Sequence, residues 1–417
     1  MTTALLVILS CLCLRTIVES FLNRLNSGHV AKLRGGVPEG LRGISDEKSW
    51  ERTVDYTLAK SRLGLLEDWY EALILAVAVI WFLPWAYGKW AGLPEAGLWR
   101  EAVAVVGTLV LLQLPELPFD WFRQFRLEER FGFNKSTLGL WVTDKVKGAV
   151  LGFVLMFALI GVLLWIHKKL SLIFPETWWL WGFGAFFVFQ LLLFALWPMF
   201  ILPLFNKLEP LEEGELKERL MTLADRAGFR AKTIEVMDGS KRSGHSNAFF
   251  TGFGSFRRIV LYDTLIEQME PEELEAVLAH EIGHYKRGHV PKRLALSALL
   301  GLVGFWLIDH LTQSEWFYEH LGFATAQDRL GPVFLVLSLA SGVFTFWLAP
   351  LGSILSRKHE YEADAFARDT VGGPDPLISS LRKLHVENLS NPLPHPLFAV
   401  VYLSHPTLPE RERALRA

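Results

Sequence analysis

His280-Glu281-Ile282-Gly283-His284, followed within ten residues by an apolar run over 293–312, joins a metal-binding pattern to a membrane-spanning stretch. Residues four apart on an α-helix differ by one turn plus about 40°, so His280 and His284 project from one face and can chelate a single ion. Glu281 lies on the adjacent flank, within reach of a water beside that ion. The chemistry served by this pattern is metal-assisted hydrolysis of peptide bonds, with zinc the expected ion. The flanking residues agree. Glu270-Pro271-Glu272-Glu273 reads as a helix start, with proline in the first turn and acids at the positive end of the dipole. Leu274, Val277 and Leu278 then form an apolar stripe leading into the motif.

The rest of the chain is dominated by apolar sequence. Of 417 residues 51% are hydrophobic and sixteen are tryptophan, which separates this chain from ordinary soluble multidomain proteins. Seven stretches are long and apolar enough to span a bilayer: 4–22, 70–90, 102–119, 149–167, 178–201, 293–312 and 332–354. Arg15 and Glu19 punctuate the first, and Pro115 is expected to close the third. Residues 1–14 have no basic segment before Leu5 and no small-residue cleavage site after Cys13, so they read as a retained first helix. Cys11 and Cys13 are the only cysteines and fall on different faces of that helix, which excludes a cysteine metal pair and a disulfide framework. Trp178, Trp179 and Trp181 stand at a span end, where interfacial anchoring accounts for them.

Net charge is −2, and its distribution carries more than its sum. Lysine and arginine crowd four segments, Arg24 to Arg62, Arg123 to Lys147, Lys207 to Lys292 and Arg357 to Arg416, which follow spans one, three, five and seven. With seven spans all four share one side of the membrane. The positive-inside rule makes that side cytoplasmic, puts the N-terminus outside and turns the His280–His284 helix toward the cytoplasm. An organelle membrane or a bacterial inner membrane satisfies this arrangement equally. No nucleic-acid partner is expected.

Residues 1–205 therefore hold transmembrane helices one to five with their loops, 206–292 a metallopeptidase segment, 293–354 helices six and seven, and 355–417 a charged C-terminal segment interrupted by Pro392, Pro394 and Pro396. The fold class is mainly α, a seven-helix transmembrane bundle with an inserted small α/β segment. In that segment 211–227 has helical spacing, 233–237 and 258–262 read as strands, and 247–251 is a short extended run before a glycine-rich turn at Gly252 and Gly254.

Two histidines leave a catalytic zinc short of one protein ligand. His289 has the wrong spacing to share their face. A polar helix after the seventh span supplies Glu360 and Asp364 one turn apart, with His359 and Glu362 as competitors on other faces, and composition does not choose among them.

The chain resembles the M48 zinc metalloproteases, and within them the Ste24 type, the integral-membrane CAAX prenyl proteases. The resemblance rests on Glu129-Arg130-Phe131-Gly132-Phe133-Asn134, Pro203-Leu204-Phe205-Asn206-Lys207, the run from Ser240 through Gly244-His245-Ser246-Asn247-Ala248-Phe249, Arg258 to Leu265, the His280–His284 motif, Ser356-Arg357 with Glu360-Tyr361 and Ala363-Asp364, and Ser404-His405-Pro406. It implies that Glu360 is the third ligand to one zinc per chain, and that Asp364 accepts a hydrogen bond from a ligand histidine. It implies that His405 and Arg411 stabilise the oxyanion, and that Asn247 and Ala248 pair with an extended substrate. It further implies a gluzincin-like peptidase opening into a chamber walled by the seven helices, in contact with membrane lipid. The implied reaction is removal of the C-terminal tripeptide from prenylated CAAX proteins or peptides. Clearance of unprenylated membrane proteins is the alternative. The chain ends at Arg416-Ala417 without a lysine-rich retrieval signal, unlike the eukaryotic pattern. A transporter or scaffold with a structural metal fits less well, because such sites are closed by four ligands and the spans lack paired halves. A peptidase for soluble substrates would need only one or two spans.

Overall fold

The computed structural model describes residues 1–90, 97–229, 231–251, 258–327 and 329–417, so the turn expected at Gly252 and Gly254 lies outside the described residues. Among the described residues seven helices are long and apolar enough to cross a membrane: Thr3–Gly35, Glu47–Lys89, Leu98–Phe131, Leu138–Leu170, Trp178–Phe205, His289–Thr312 and Leu330–Val371. Each coincides with one of the seven expected spans, the second ending one residue short of 90, and most run well beyond them. The third does not stop at Pro115. A single 3₁₀ turn at Leu114–Glu116 takes the proline in its first positions, where its missing N–H costs nothing, and the helix continues to Phe131.

These helices share their largest apolar cluster at one end, with smaller ones at the other, Val30 against Trp50 and Val54, and Tyr56 against Leu127 and Phe131. A single apolar cluster joins the start of the first (Ala4, Ile8), the end of the second (Val79, Leu83, Tyr87), the start of the third (Ala102, Val105) and the end of the fourth (Leu159, Leu163). The same cluster takes in Trp178 of the fifth, Phe305 and Ile308 of the sixth, and Val333 to Ala340 of the seventh. Toward the other end the fourth helix buries nothing before Leu159. Over that half the fourth helix meets its neighbours through polar contacts, Lys145 to Asp120 of the third and the Lys147 ammonium to the Leu204 carbonyl of the fifth at 3.0 Å, so the bundle is more open there than at the other end. Arg15, Glu19, Asp68, Glu71 and Glu116 line an interior cavity of about 180 Å³ between these helices. Ionisable side chains at such positions face a polar interior and not hydrocarbon.

The peptidase segment closes that open end. Its sheet runs β1 (Leu208–Pro210), β2 (Thr233–Met237), β4 (Arg258–Tyr262), β3 (Ala248–Thr251) in spatial order. β2 and β4 are parallel, and β3 pairs antiparallel with β4 in the register Ala248↔Leu261. β2 and β4 have the expected bounds, whereas β1, three residues ending in proline, gives no sequence signal. Around the sheet lie α1 (Glu215–Arg226), α2 (Asp263–Gln268), α3 (Pro271–Lys286), α4 (Ala349–Val371, the last part of the seventh long helix), α5 (Asp375–Glu387), α6 (Pro396–Tyr402) and α7 (Leu408–Arg416). Leu220, Ile259, Leu274, Ile282, Ala367 and Leu408 belong to their common core. Burial of these side chains, at roughly 1.5–3 kcal/mol each, binds the C-terminal helices to a sheet that precedes them by more than a hundred residues.

A loop from the bundle fastens the peptidase in place. After the third long helix, Gly132 turns with φ 86°, and Asn134 bridges Ser243 in antiparallel fashion. The Gly244 N–H donates to the Phe133 carbonyl at 3.0 Å, and the Phe133 ring stacks on His245 with centroids 4.0 Å apart. Arg242 reaches Asp144 of the fourth long helix at 2.8 Å.

Candidate metal centre

α3 starts on a reciprocal cap: the Glu270 N–H donates to the Glu273 carboxylate at 2.8 Å while the Glu270 side chain accepts from the third turn residue, with Pro271 at the first position. Glu273 is tied further to Ser379 and, at 2.7 Å, to Lys383 of α5. This fixed start sets the rotation of α3, so that His280 and His284 point toward α4. Gly283 lets α4 come close. A methyl group at Gly283 would meet the Ala363 backbone, and Ala363 itself is wholly buried.

The closeness of the two helices completes a triangle. His280 Nε2 and His284 Nε2 are 3.2 Å apart, and each lies 3.3 Å from an oxygen of Glu360. A tetrahedral ion with bonds of about 2.0–2.1 Å separates its ligand atoms by about 3.3 Å, the spacing that each nitrogen has from its own oxygen of the Glu360 carboxylate, His280 from Oε2 and His284 from Oε1. Glu360 Oε2 is buried, with His280 Nε2 at 3.3 Å but no well-directed hydrogen bond, an arrangement that a cation improves. Among the described residues His280, His284 and Glu360 form a group able to hold a metal. Two imidazoles and one carboxylate leave a fourth position free, the donor set of a catalytic zinc site.

The expected partners of this triangle converge on it. His280 Nδ1 donates to Asp364 Oδ1 at 2.8 Å, one turn along α4 from Glu360. Asp364 is held in turn by Arg411 of α7, whose Nε donates to Oδ2 at 2.8 Å and whose Nη2 donates to Oδ1 at 2.5 Å. All three are buried. Burial works against a charged His280, but the carboxylates of Asp364 and Glu360 outweigh it and lift the pKa to about 9. At Glu281 burial dominates and pushes the carboxyl up from its ordinary value. His405 stands on the open side, 63% exposed, with Nε2 3.5 Å from Glu360 Oε1.

Glu281 and His405 face a cleft of about 130 Å³ that also reaches Asn247 and Ala248 and has an apolar wall of Leu265, Val277, Leu377 and Leu381. β3 is the outer strand of the sheet beside it. The Asn247 carbonyl accepts from the Tyr262 N–H at 3.1 Å, so the Asn247 backbone faces β4 and, by alternation, that of Ala248 faces away from it. The Ala248 N–H is already met by Asn247 Oδ1 at 2.8 Å, which leaves the Ala248 carbonyl for an added strand.

Two histidines to which the sequence assigns no role meet behind His284. His289, set aside for its spacing, brings Nδ1 within 2.9 Å of His284 Nδ1, and its Nε2 lies 2.9 Å from Glu362 Oε2. His359 stacks on His289 with centroids 4.0 Å apart. The residues weighed as rival ligands are thus gathered behind His284. The available signal was a histidine next to Gly288, whose φ of 66° ends α3 and turns the chain back beneath the motif.

Comparison with known proteins agrees with this geometry. Residues 26–207 match a family described as CAAX prenyl protease N-terminal, five membrane helices, and residues 210–417 match peptidase family M48. The chain is a Ste24-type member of peptidase family M48. It is 35% identical to CAAX prenyl protease 1 of Saccharomyces cerevisiae, covering 91% of this chain and 88% of that protein. It is 31% identical to the CAAX prenyl protease 1 homolog of Homo sapiens, covering 95% and 92%. The crystal structure of S. mikatae Ste24p superposes with a TM-score of 0.91 at 32% identity over 100% of this chain and 99% of that one. Membership makes the chain a multi-pass membrane metalloprotease, and the His280–His284–Glu360 group is where the structure can hold the metal.

Proposed function

We propose that this M48 protein is a zinc endopeptidase that releases the C-terminal tripeptide from prenylated CAAX proteins or peptides inside the membrane bundle. The reading rests on one juxtaposition: an incomplete ligand set of His280, His284 and Glu360 faces a cleft bounded by the free edge of β3, at the open end of seven long apolar helices. The names of the yeast and human relatives, similar over nearly the whole chain, support this substrate class. The basic loops around the peptidase favour a cytoplasmic active site with the N-terminus on the opposite face.

Zinc, when bound, supplies a Lewis acid that polarises the scissile carbonyl and activates water. Glu281 takes the proton of the attacking water and delivers it to the leaving amine, a task suited to a carboxyl whose pKa burial has raised. His405, exposed in the cleft, donates to the carbonyl oxygen as negative charge develops there. Arg411 adds positive charge behind it and keeps Asp364 fixed on His280. Asn247 and Ala248 hold the peptide extended along the β3 edge, and the leucine wall receives an aliphatic side chain.

The test is mass-spectrometric mapping of products from a farnesylated CAAX peptide incubated with purified protein in detergent, with Glu281→Ala as the blank. Intact tripeptide from the parent alone is the expected result. Equal cutting of the unprenylated peptide, or cutting only upstream, transfers the protein to general membrane-protein clearance. Absence of any cleavage by zinc-loaded parent overturns the reading.

A further inference from the structure

The contacts behind His284 form a directed chain. His284 must present an unprotonated Nε2 to any ion in the triangle, so its ring proton sits on Nδ1. That proton points at His289 Nδ1, 2.9 Å away, which must therefore be the acceptor nitrogen. The His289 proton is left on Nε2, from which it is donated to Glu362 Oε2 at 2.9 Å. Only one placement of protons gives each contact one donor and one acceptor. If His289 carried its proton on Nδ1, two N–H groups would meet head on.

Three elements contribute one residue each. His284 comes from α3, Glu362 from α4, and His289 is the first residue of the sixth long helix. His289 is 1% exposed and clamped against the His359 ring at an interplanar angle of 14°, so it cannot rotate away from this duty. Glu362 is 31% exposed at the end of the chain and has Lys358 3.9 Å from its other oxygen.

We propose that His289, oriented by Glu362, is a positioning residue that fixes the Nδ1–H tautomer of His284 and aims its Nε2 at the metal. Asp364 serves His280 in one step, and His289 with Glu362 serves His284 in two. The competing view is that His289 is a packed core histidine whose partner was set by space alone. This inference rests on the reading of His284 as a metal ligand.

The experiment measures zinc affinity of the full chain in detergent by competition with a chromophoric chelator, for the parent and for His289→Leu, His289→Asn, Glu362→Ala and the double variant His289→Leu/Glu362→Ala. Circular dichroism and melting confirm that each is folded. Loss of a partner that orients a metal ligand costs roughly 10–100-fold in affinity, and His289→Leu is expected in that range. Glu362→Ala, at a half-exposed position that folding tolerates, is expected to weaken binding by roughly tenfold. The double variant should bind no more weakly than His289→Leu alone, because Glu362 acts through His289. His289→Asn keeps an acceptor near the Nδ1 position and should recover most of the loss. Cobalt-substituted protein should show a shifted visible spectrum in His289→Leu. Folded Glu362→Ala and His289→Leu proteins with parental zinc affinity and cobalt spectrum overturn the proposal and leave the metal site intact. A parent that binds no zinc, or binds it as well after His284→Ala, overturns the metal reading itself and this proposal with it.

Discussion

A Cβ placed on Gly283 would lie 3.0 Å from the Cα of Ala363 and 3.1 Å from its carbonyl oxygen. The motif position that makes no metal contact is thus the one that lets α3 and α4 approach, and Glu360 reaches the histidines only because they do. Gly283→Ala is expected to push the helices apart at a cost of about 1–3 kcal/mol, the range for overpacked cores, and to lower metal affinity along with stability. Zinc content after gel filtration and the melting temperature check this. Parental values for both would show that the site does not depend on the contact.

Asp364 and Arg411 differ in what their removal leaves behind. Asp364→Asn keeps the shape but loses the charge facing His280 Nδ1, and should weaken zinc binding roughly 10–100-fold while also lowering the melting temperature, because it leaves the buried Arg411 cation without its counter-charge. Arg411→Met strands a buried carboxylate and should cost about 3–5 kcal/mol of stability. Zinc competition and thermal unfolding of the two variants separate the roles. An Arg411→Met protein as stable as the parent would contradict the buried-pair argument.

Glu281 is costly to the fold and needed for the reaction. Burial raises its pKa, so the folded state binds the proton more tightly than the unfolded one and stability falls as pH rises from the unfolded value through the folded one. Above that window the full cost is present. Glu281→Gln should therefore abolish peptide cleavage while raising the melting temperature of chelator-treated protein at neutral pH, and should lose that advantage in acid. An inactive variant that melts no higher than the parent at pH 7 would refute the stability half.

The sequence and the structure agree best where chemistry has a period. Seven apolar runs, two β-branched strands and a helix with histidines four apart are all readable from local pattern, because one face of each must be buried or wet. Glu360 is readable only by resemblance, since four ionisable side chains compete within residues 359–364 and only the α3–α4 contact at Gly283 selects one face of α4. The fastening of Gly132-Phe133-Asn134 onto Ser243-Gly244-His245 is not readable locally. It depends on a pairing between segments a hundred residues apart, and neither has strand periodicity. The continuation of the third long helix past Pro115 is not readable for a related reason, because a 3₁₀ turn absorbs a proline that a regular α-helix would not.

His280 gives the metal-free protein a pH signature. Its folded pKa of about 9 lies above the 6.5 of an ordinary histidine, through the Asp364 and Glu360 carboxylates and against the effect of burial. A raised histidine pKa stabilises fully below the unfolded value and is lost as pH rises through the folded one, so chelator-treated protein should melt progressively lower from pH 6.5 to 9. Metal binding reverses the trend. A ligand histidine must give up this proton, so zinc affinity should climb over the same interval, with proton release on binding detectable by calorimetry in buffers of different ionisation enthalpy. The two slopes have opposite signs and share one residue, and Asp364→Asn, which removes a carboxylate holding the proton, should flatten the first. If the melting of the chelated parent is independent of pH across this window, His280 is not protonated in the metal-free fold.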